Sequence, residues 1–431
     1  MRIRSVVLCL LAIAWSNAAM AQHPTELDRI AREYVQITLE AGEWEAEYVD
    51  AYYGPPEWAI AAKRNPRSVD TLKVAAAQAK AHALAVDPGI LDRLTRGRRA
   101  FLIGQLTAAE ARLAMHTGTR FSFDEEARQL FGVNFVPKPL EEFDPTLAEI
   151  ERMVPGPGPL WKRVDEFRNR FIIPVDRLAA VMQASIAECR RRTLAYIPMP
   201  PEEKFSLELV SGKPWGGYNY YKGNATSVIQ INTDLPVLMD RAVDLGCHEG
   251  YPGHHVYNML LEQHLSKALG WVEFMVYPLY SPESLLAEGS ANYGIDLAFP
   301  ADERTAFEAR VLYPLAGLDP AEAPRFAKLS KSLQKQAGAR FTIARDYVDG
   351  RIDRSTAIAL QQKYLLLSVE RAEKSLEFTT HYRSYVINYG LGMELVKAHI
   401  EAAGECATMR WKEMARILSE PTTPADLDAG P

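Results

Sequence analysis

Leu245-Gly246-Cys247-His248-Glu249-Gly250-Tyr251-Pro252-Gly253-His254-His255 sets three of the chain's nine histidines around one glutamate. The simplest helical zinc site reads His-Glu-x-x-His. Its four-residue spacing puts both imidazoles on one helix face, with the glutamate beside them as general base. Here the fourth position after His248 is Pro252, so that spacing is broken. Proline has no N–H to give, and its ring crowds the carbonyl four residues back, which is that of His248. The helix must open there, with Gly250 and Gly253 absorbing the distortion. A bulge of this kind loops out extra residues and brings His254 back toward His248. In an undistorted helix His254 would sit about 120° off that face, whereas His255 would face correctly but lie roughly 10 Å along the axis. The bulge decides between them.

Zinc needs a third protein ligand, and Glu288 is the candidate. It lies in Ser281-Pro282-Glu283-Ser284-Leu285-Leu286-Ala287-Glu288-Gly289-Ser290-Ala291-Asn292-Tyr293. Ser281 reads as the cap of that helix and Pro282 as its first residue. The small neighbours Ala287, Gly289 and Ala291 let another backbone approach, which marks a packed acid rather than a solvated one. Two histidines and a glutamate leave a fourth position for water, the arrangement of catalytic rather than structural zinc. Asn292 and Asp296 follow one and two turns later on the same face. Either would accept the free ring N–H of a liganding histidine and fix its tautomer.

Outward from this centre the chain reads as mainly α. Helical periodicity covers Glu26 to Tyr53, Val69 to Ala85, Leu91 to His116, Phe123 to Leu130, Pro145 to Met153 and Val175 to Tyr196. It resumes over Ala301 to Ala316, Pro320 to Val348, Ser355 to Leu365 and Met393 to Ala403. One region departs from it. Phe205 to Val210 and Ser227 to Asn232 are alternating or β-branched, with a Gly- and aromatic-rich stretch between them. They predict a small β element just before the histidine-bearing helix. It serves either as a hairpin closing the domain or as a cleft wall, with Asn219, Tyr220, Tyr221 and Asn232 as lining candidates.

Arg2 and Arg4, the apolar run Ser5 to Trp15 and the small-x-small site Ala19-Met20-Ala21 predict a cleaved signal peptide over residues 1–21. Residues 22–431 then form one helical domain, periplasmic or secreted and without a membrane anchor. Its removal takes away two arginines and shifts the formal charge from −6 to −8. A mildly acidic chain without basic runs argues against nucleic acid as a partner. Cys189, Cys247 and Cys406 remain, too few for a disulfide scaffold, though one bridge of undetermined pairing is open to them. Cys247 reads as a buried helix residue or as a ligand or nucleophile beside His248. Oligomeric state is not legible.

His-Glu-x-x-Pro-Gly-His-His, followed by Glu-Gly-x-Ala-x-Tyr, resembles a large bacterial family of metallopeptidases catalogued as domain of unknown function 885. It is also similar, more remotely, to the helical carboxypeptidases and oligopeptidases with two-His-one-Glu zinc sites. In those carboxypeptidases the second ligand histidine follows a glycine and precedes an aromatic residue by three. Gly253-His254-His255-Val256-Tyr257 has that context, so the resemblance implies His254 as ligand, with His255 in the surrounding layer or facing the cleft. Ser290 and Asn292 stand where the family commonly has Trp and Leu. Tyr389-Gly390-Leu391-Gly392 resembles the family's Tyr-x-x-Gly element. The resemblance implies an oxyanion donor from the C-terminal part, with Tyr389 foremost and Tyr385 and His381 behind it. Arg383 is a candidate for a substrate carboxylate or a surface ion pair. It further implies an edge strand that pairs with extended substrate. Residues and resemblance converge on a zinc hydrolase of short peptides, with Glu249 as base. The alternatives are a zinc amidase or esterase acting on small molecules or cell-wall fragments, and a non-catalytic metal-binding protein.

Overall fold

The computed structural model describes residues 25–213 and 215–428. The expected signal peptide, residues 1–21, lies outside the described residues. Elements are numbered in chain order. Helix α1 (Glu26–Trp44) opens on a capping box in which Thr25 and Asp28 satisfy each other's backbone N–H groups. It buries Leu27, Ile30, Tyr34 and Ile37. The helix expected to run to Tyr53 ends at Trp44, because Val49–Tyr52 is strand β1. That strand pairs antiparallel with β5 (Val276–Pro278). Its partner lies more than two hundred residues away, where local periodicity carries no information. Helices α2 (Pro56–Arg64), α3 (Val69–Ala85), α4 (Arg93–His116) and α5 (Phe123–Phe131) follow. Ser68, Asp92 and Ser122 cap the last three, each accepting from the backbone three residues on.

After α6 (Asp144–Met153), α7 (Leu160–Arg168) and α8 (Val175–Leu194) comes a three-stranded sheet of β2 (Lys204–Val210), β3 (Gly217–Tyr221) and β4 (Thr226–Asn232). The order is β2-β4-β3, with β2 parallel and β3 antiparallel to β4. The two runs expected as strands are β2 and β4. They do not form a hairpin: the Gly- and aromatic-rich stretch between them contributes the third strand. Helices α9 (Met239–Leu245), α10 (His254–Leu261) and α11 (Pro282–Ala298) carry the histidine and glutamate motifs. The helix expected over 301–316 is α12 (Glu303–Phe307) and α13 (Tyr313–Ala316), joined by a wide π turn. The one expected over 320–348 breaks at Ala337–Gly338 into α14 (Ala323–Gln336) and α15 (Ala339–Val348). The chain closes with α16 (Arg354–Tyr364), α17 (Val369–Tyr382), α18 (Leu391–Ala402), α19 (Ala407–Ser419) and α20 (Pro424–Asp428).

The fold is thus mainly α, with two small sheets among the described residues. Apolar side chains gather into two large clusters. One surrounds Met182, Ile186, Ile229, Met239 and Val243, and the other Tyr34, Leu72, Leu102, Phe123 and Phe131. Helix α11 belongs to both, giving Leu285 to the second and Leu286 and Ala287 to the first. Glu288 is therefore carried where the two cores meet. Cys247 is buried and bonded to Cys189 of α8, which removes it as a metal ligand or nucleophile. Cys406 is free and exposed. No described helix is long and apolar enough to cross a membrane.

Candidate metal centre

At the end of α9 the helix widens into a π turn over Gly246–Gly250, and Tyr251-Pro252-Gly253 interrupts it. Pro252 supplies no N–H, and the amide of Gly253 instead bonds back to Cys247 O at 3.0 Å. A side chain cannot stand at position 253: a Cβ there would lie 1.8 Å from His248 O. Helix α10 then restarts at His254. The consequence is geometric. His248 Nε2 and His254 Nε2 come within 3.1 Å, their rings edge to face.

Glu288 reaches the same point from α11. Ser281 caps that helix by accepting from Ser284 N, and Pro282 occupies its first turn. Gly289 sits against Gly392 of α18 so closely that a Cβ would lie 2.4 Å from the Gly392 backbone. This contact seats the helix and leaves Glu288 only 6% exposed. Glu288 Oε2 is 3.2 Å from His248 Nε2, and Oε1 is 3.8 Å from His254 Nε2. Oε1 accepts from Tyr385 Oη at 2.8 Å. Asn292, one turn on, lies 3.0 Å from His248 Nδ1 through its Oδ1 and donates to Tyr389 O. That contact occupies Nδ1 and leaves Nε2 as the ring nitrogen turned to the cluster.

The arrangement fits a zinc ion. Metal–nitrogen and metal–oxygen distances of about 2.0–2.1 Å at tetrahedral angles put neighbouring ligand atoms about 3.3 Å apart. Glu288 Oε2 is buried without a hydrogen-bond partner, a cost in a folded interior unless a cation satisfies it. The donor set, two imidazoles and a carboxylate, suits a divalent metal ion.

Glu249, 5% exposed, brings a carboxylate oxygen into a common cluster with His248 and His254, all within 4.8 Å of one another. Strand β3 runs directly over it: a Cβ on Gly217 would lie 2.9 Å from Glu249 Oε1. Burial pushes the Glu249 carboxyl up to about 7, the Glu288 charge adds to this, and His248 and Arg241 oppose it. Burial lowers His254 to about 4, helped by His248. Burial works to lower His248 too, but the hydrogen bond to Glu288 and the charges of Glu249 and Glu288 outweigh it and raise it to about 9. Around this cluster Tyr389 stacks edge-on against Tyr385 and is 36% exposed. Desolvation and the charges of Glu288 and Glu249 hold its phenol well above the ordinary value, so it keeps its proton.

The structure gathers His248, Glu249, His254, Glu288, Asn292 and the Tyr385–Tyr389 pair in one place. His255 turns away, 0% exposed, toward Ser227 and Glu203; it faces neither the cluster nor solvent. His381 pairs with Glu47 at the surface, and Arg383 with the buried Glu126, an ion pair and not a carboxylate anchor. Tyr221 bonds Glu262, Tyr220 is exposed, and Asn232 ties the backbone at Lys213 and Trp215. Four residues without a sequence signal join the site. Asp50 of β1 accepts from Tyr218 Oη at 3.2 Å, and burial, with the Glu288 charge, raises it to about 7. Arg241 acts on the charges of His248 and Glu249. Arg340 of α15, an exposed residue, is near enough for its charge to interact with those of Tyr389 and Arg241.

No family model matches the chain, and no curated protein does. Among solved structures, a "putative lipoprotein" from Colwellia psychrerythraea matches at TM-score 0.55 with 16% identity, over 94% of this chain and 75% of that one. An M32 carboxypeptidase from Deinococcus radiodurans R1 matches at TM-score 0.49 with 14% identity, over 93% and 94% respectively. The first likeness is one of fold.

Proposed function

We propose that this chain is an exported, zinc-dependent peptidase that hydrolyses short peptides, of the kind gathered under domain of unknown function 885, with residues 22–431 acting as one periplasmic or secreted domain. One observation carries the reading. His248 Nε2 lies 3.1 Å from His254 Nε2 and 3.2 Å from the buried Glu288 Oε2, with a second carboxylate alongside. His248, His254 and Glu288 would hold the metal; zinc when bound makes water acidic and polarises a carbonyl. Glu249 takes the proton of the attacking water and passes it to the leaving amine. Tyr389, keeping its proton, donates to the oxyanion as it forms. β3 is an edge strand whose Gly217 overlies Glu249, so its free side offers hydrogen bonds to an extended peptide. Arg340, whose charge acts on Tyr389, is the candidate for holding a substrate carboxylate, the role that Arg383 does not fill.

The test takes purified protein with its metal content measured, a mixed pool of short peptides and mass spectrometry, with and without a chelator. Wild type is expected to hold about one zinc per chain and to cleave. His248→Ala and Glu288→Gln should each lose most of the metal. Full zinc occupancy in both variants would overturn the site. A zinc-loaded wild type that cleaves no peptide would turn the reading to an amidase or esterase.

A further inference from the structure

Bonded to the backbone of Glu249 is a chain of buried polar groups that the chemistry above does not use. Asn219 Nδ2 donates to the backbone carbonyl of Glu249 at 2.7 Å. Its Oδ1 accepts from Ser227 Oγ at 3.2 Å, and Ser227 Oγ is 2.7 Å from His255 Nδ1. His255 Nε2 is 3.1 Å from Glu203 Oε1. Glu203 in turn accepts from Arg190, at 2.7 and 3.0 Å, and from Tyr251 Oη.

From His255 to the Glu249 carbonyl the hydrogens run in one direction. An amide whose N–H faces a carbonyl must turn its oxygen to Ser227, so the single hydroxyl hydrogen goes to Asn219. Ser227 then accepts from His255 Nδ1. Glu203, accepting from Arg190 and Tyr251, is an ionised acceptor; burial opposes its charge, but these bonds and that of His255 hold it down at about 2. Serine, histidine and glutamate in this order suggest a nucleophile. Here Ser227 is 1% exposed and its hydrogen is committed to Asn219, so the group has neither access nor a base. A chain with every member satisfied makes its last bond directional and rigid.

The bonded carbonyl matters because of where it stands. Glu249 lies in the π turn, whose backbone bonds are irregular. The turn is tied to α8 by the Cys189–Cys247 bridge, and Arg190 of the same helix anchors the far end of the polar chain. We propose that Asn219 and Ser227, backed by His255 and Glu203, are positioning residues that fix the backbone of Glu249 and so aim its carboxylate. The consequence for turnover rests on Glu249 being the base; the consequence for the turn does not.

Two measurements separate these. Amide hydrogen exchange by mass spectrometry on the metal-free full chain reads the turn directly. Asn219→Ala should lower protection over residues 246–250 on the order of tenfold, with α1 to α5 unchanged. Ser227→Ala should give a smaller loss in the same segment. Unchanged protection there in both variants, or a loss spread evenly over the chain, overturns the inference. The second measurement is a double-mutant cycle on turnover of the zinc-loaded protein. Asn219→Ala should cut kcat on the order of tenfold with KM within twofold, and should cost almost nothing further in a Glu249→Gln background. Equal losses in both backgrounds overturn the positioning role while leaving the base standing. A Glu249→Gln variant as active as wild type overturns the base instead, and the exchange result alone then decides whether the chain orders the turn.

Discussion

Pro252 lacks an N–H, and the two histidines after it are separated by that fact. The break turns His254 onto His248 and sends His255 into the interior against Ser227. Losing His254 should abolish zinc binding, whereas His255→Ala should keep much of the metal and lose stability from a buried polar group left unpaired, by about 1–3 kcal/mol. Metal analysis and a urea melt on both variants check this; the reverse pattern would show that the wrong histidine has been chosen. Glu249 makes a sharper case, since it shares the cluster without being needed as third ligand. Glu249→Gln keeps the size and removes the proton acceptor. It should fold and bind zinc as wild type does, yet lose hydrolysis by a factor on the order of 10² or more. Loss of zinc in this variant would instead make Glu249 a ligand.

At the scale of elements, legibility follows locality. Val69–Ala85 was written in full by its own periodicity and by its Ser68 cap. Both strands flanking the Gly-rich stretch were also legible, because β-branched alternation is local. The strand inside that stretch was not. Gly217–Tyr221 becomes a strand by pairing with β4, and its glycine is set by Glu249 beneath it. Asp50 was missed for the same reason: β1 exists only because β5 pairs with it. The His248, Glu249 and His254 cluster was legible because a group of this kind needs particular residue types. Arg340 carries no such mark; its place is known only once α15 is docked. Helix crossings offer the test at this scale. Gly289 and Gly392 meet backbone to backbone, so Gly289→Val must push α11 and α18 apart. Overpacking of this kind costs about 1–3 kcal/mol. Here it should also displace Glu288 and weaken zinc retention, while Gly350→Val, strained by a φ of +71° but with no neighbour to push, should leave the metal bound. Equal zinc retention in the two variants would show that the crossing does not set the ligand.

One contribution to the molecule's response to pH comes from an acid buried where α4 meets α11. Glu283 is enclosed by both helices, and its one partner is Gln105 Nε2 at 2.9 Å. Burial raises its carboxyl from 4.5 to about 8, with the Gln105 bond opposing. The folded state therefore holds a proton that the unfolded chain gives up between these values. Below about pH 4.5 both states carry it and Glu283 is neutral in its effect. As pH rises from there to about 8 the unfolded state binds fewer protons, so folding stability falls across that window and levels off above it. By pH 7 the loss from this one group is on the order of 3 kcal/mol. Glu283→Gln removes the titration while keeping the shape and a polar contact with Gln105. The variant should be more stable than wild type near pH 7.5 by an amount of that order and little different near pH 4.5. Urea melts at the two pH values, taken on chelated protein so that metal binding does not enter, measure the difference directly. A gap between variant and wild type that is the same at both pH values would mean that Glu283 is already charged in the folded protein, held by water or a cation between α4 and α11.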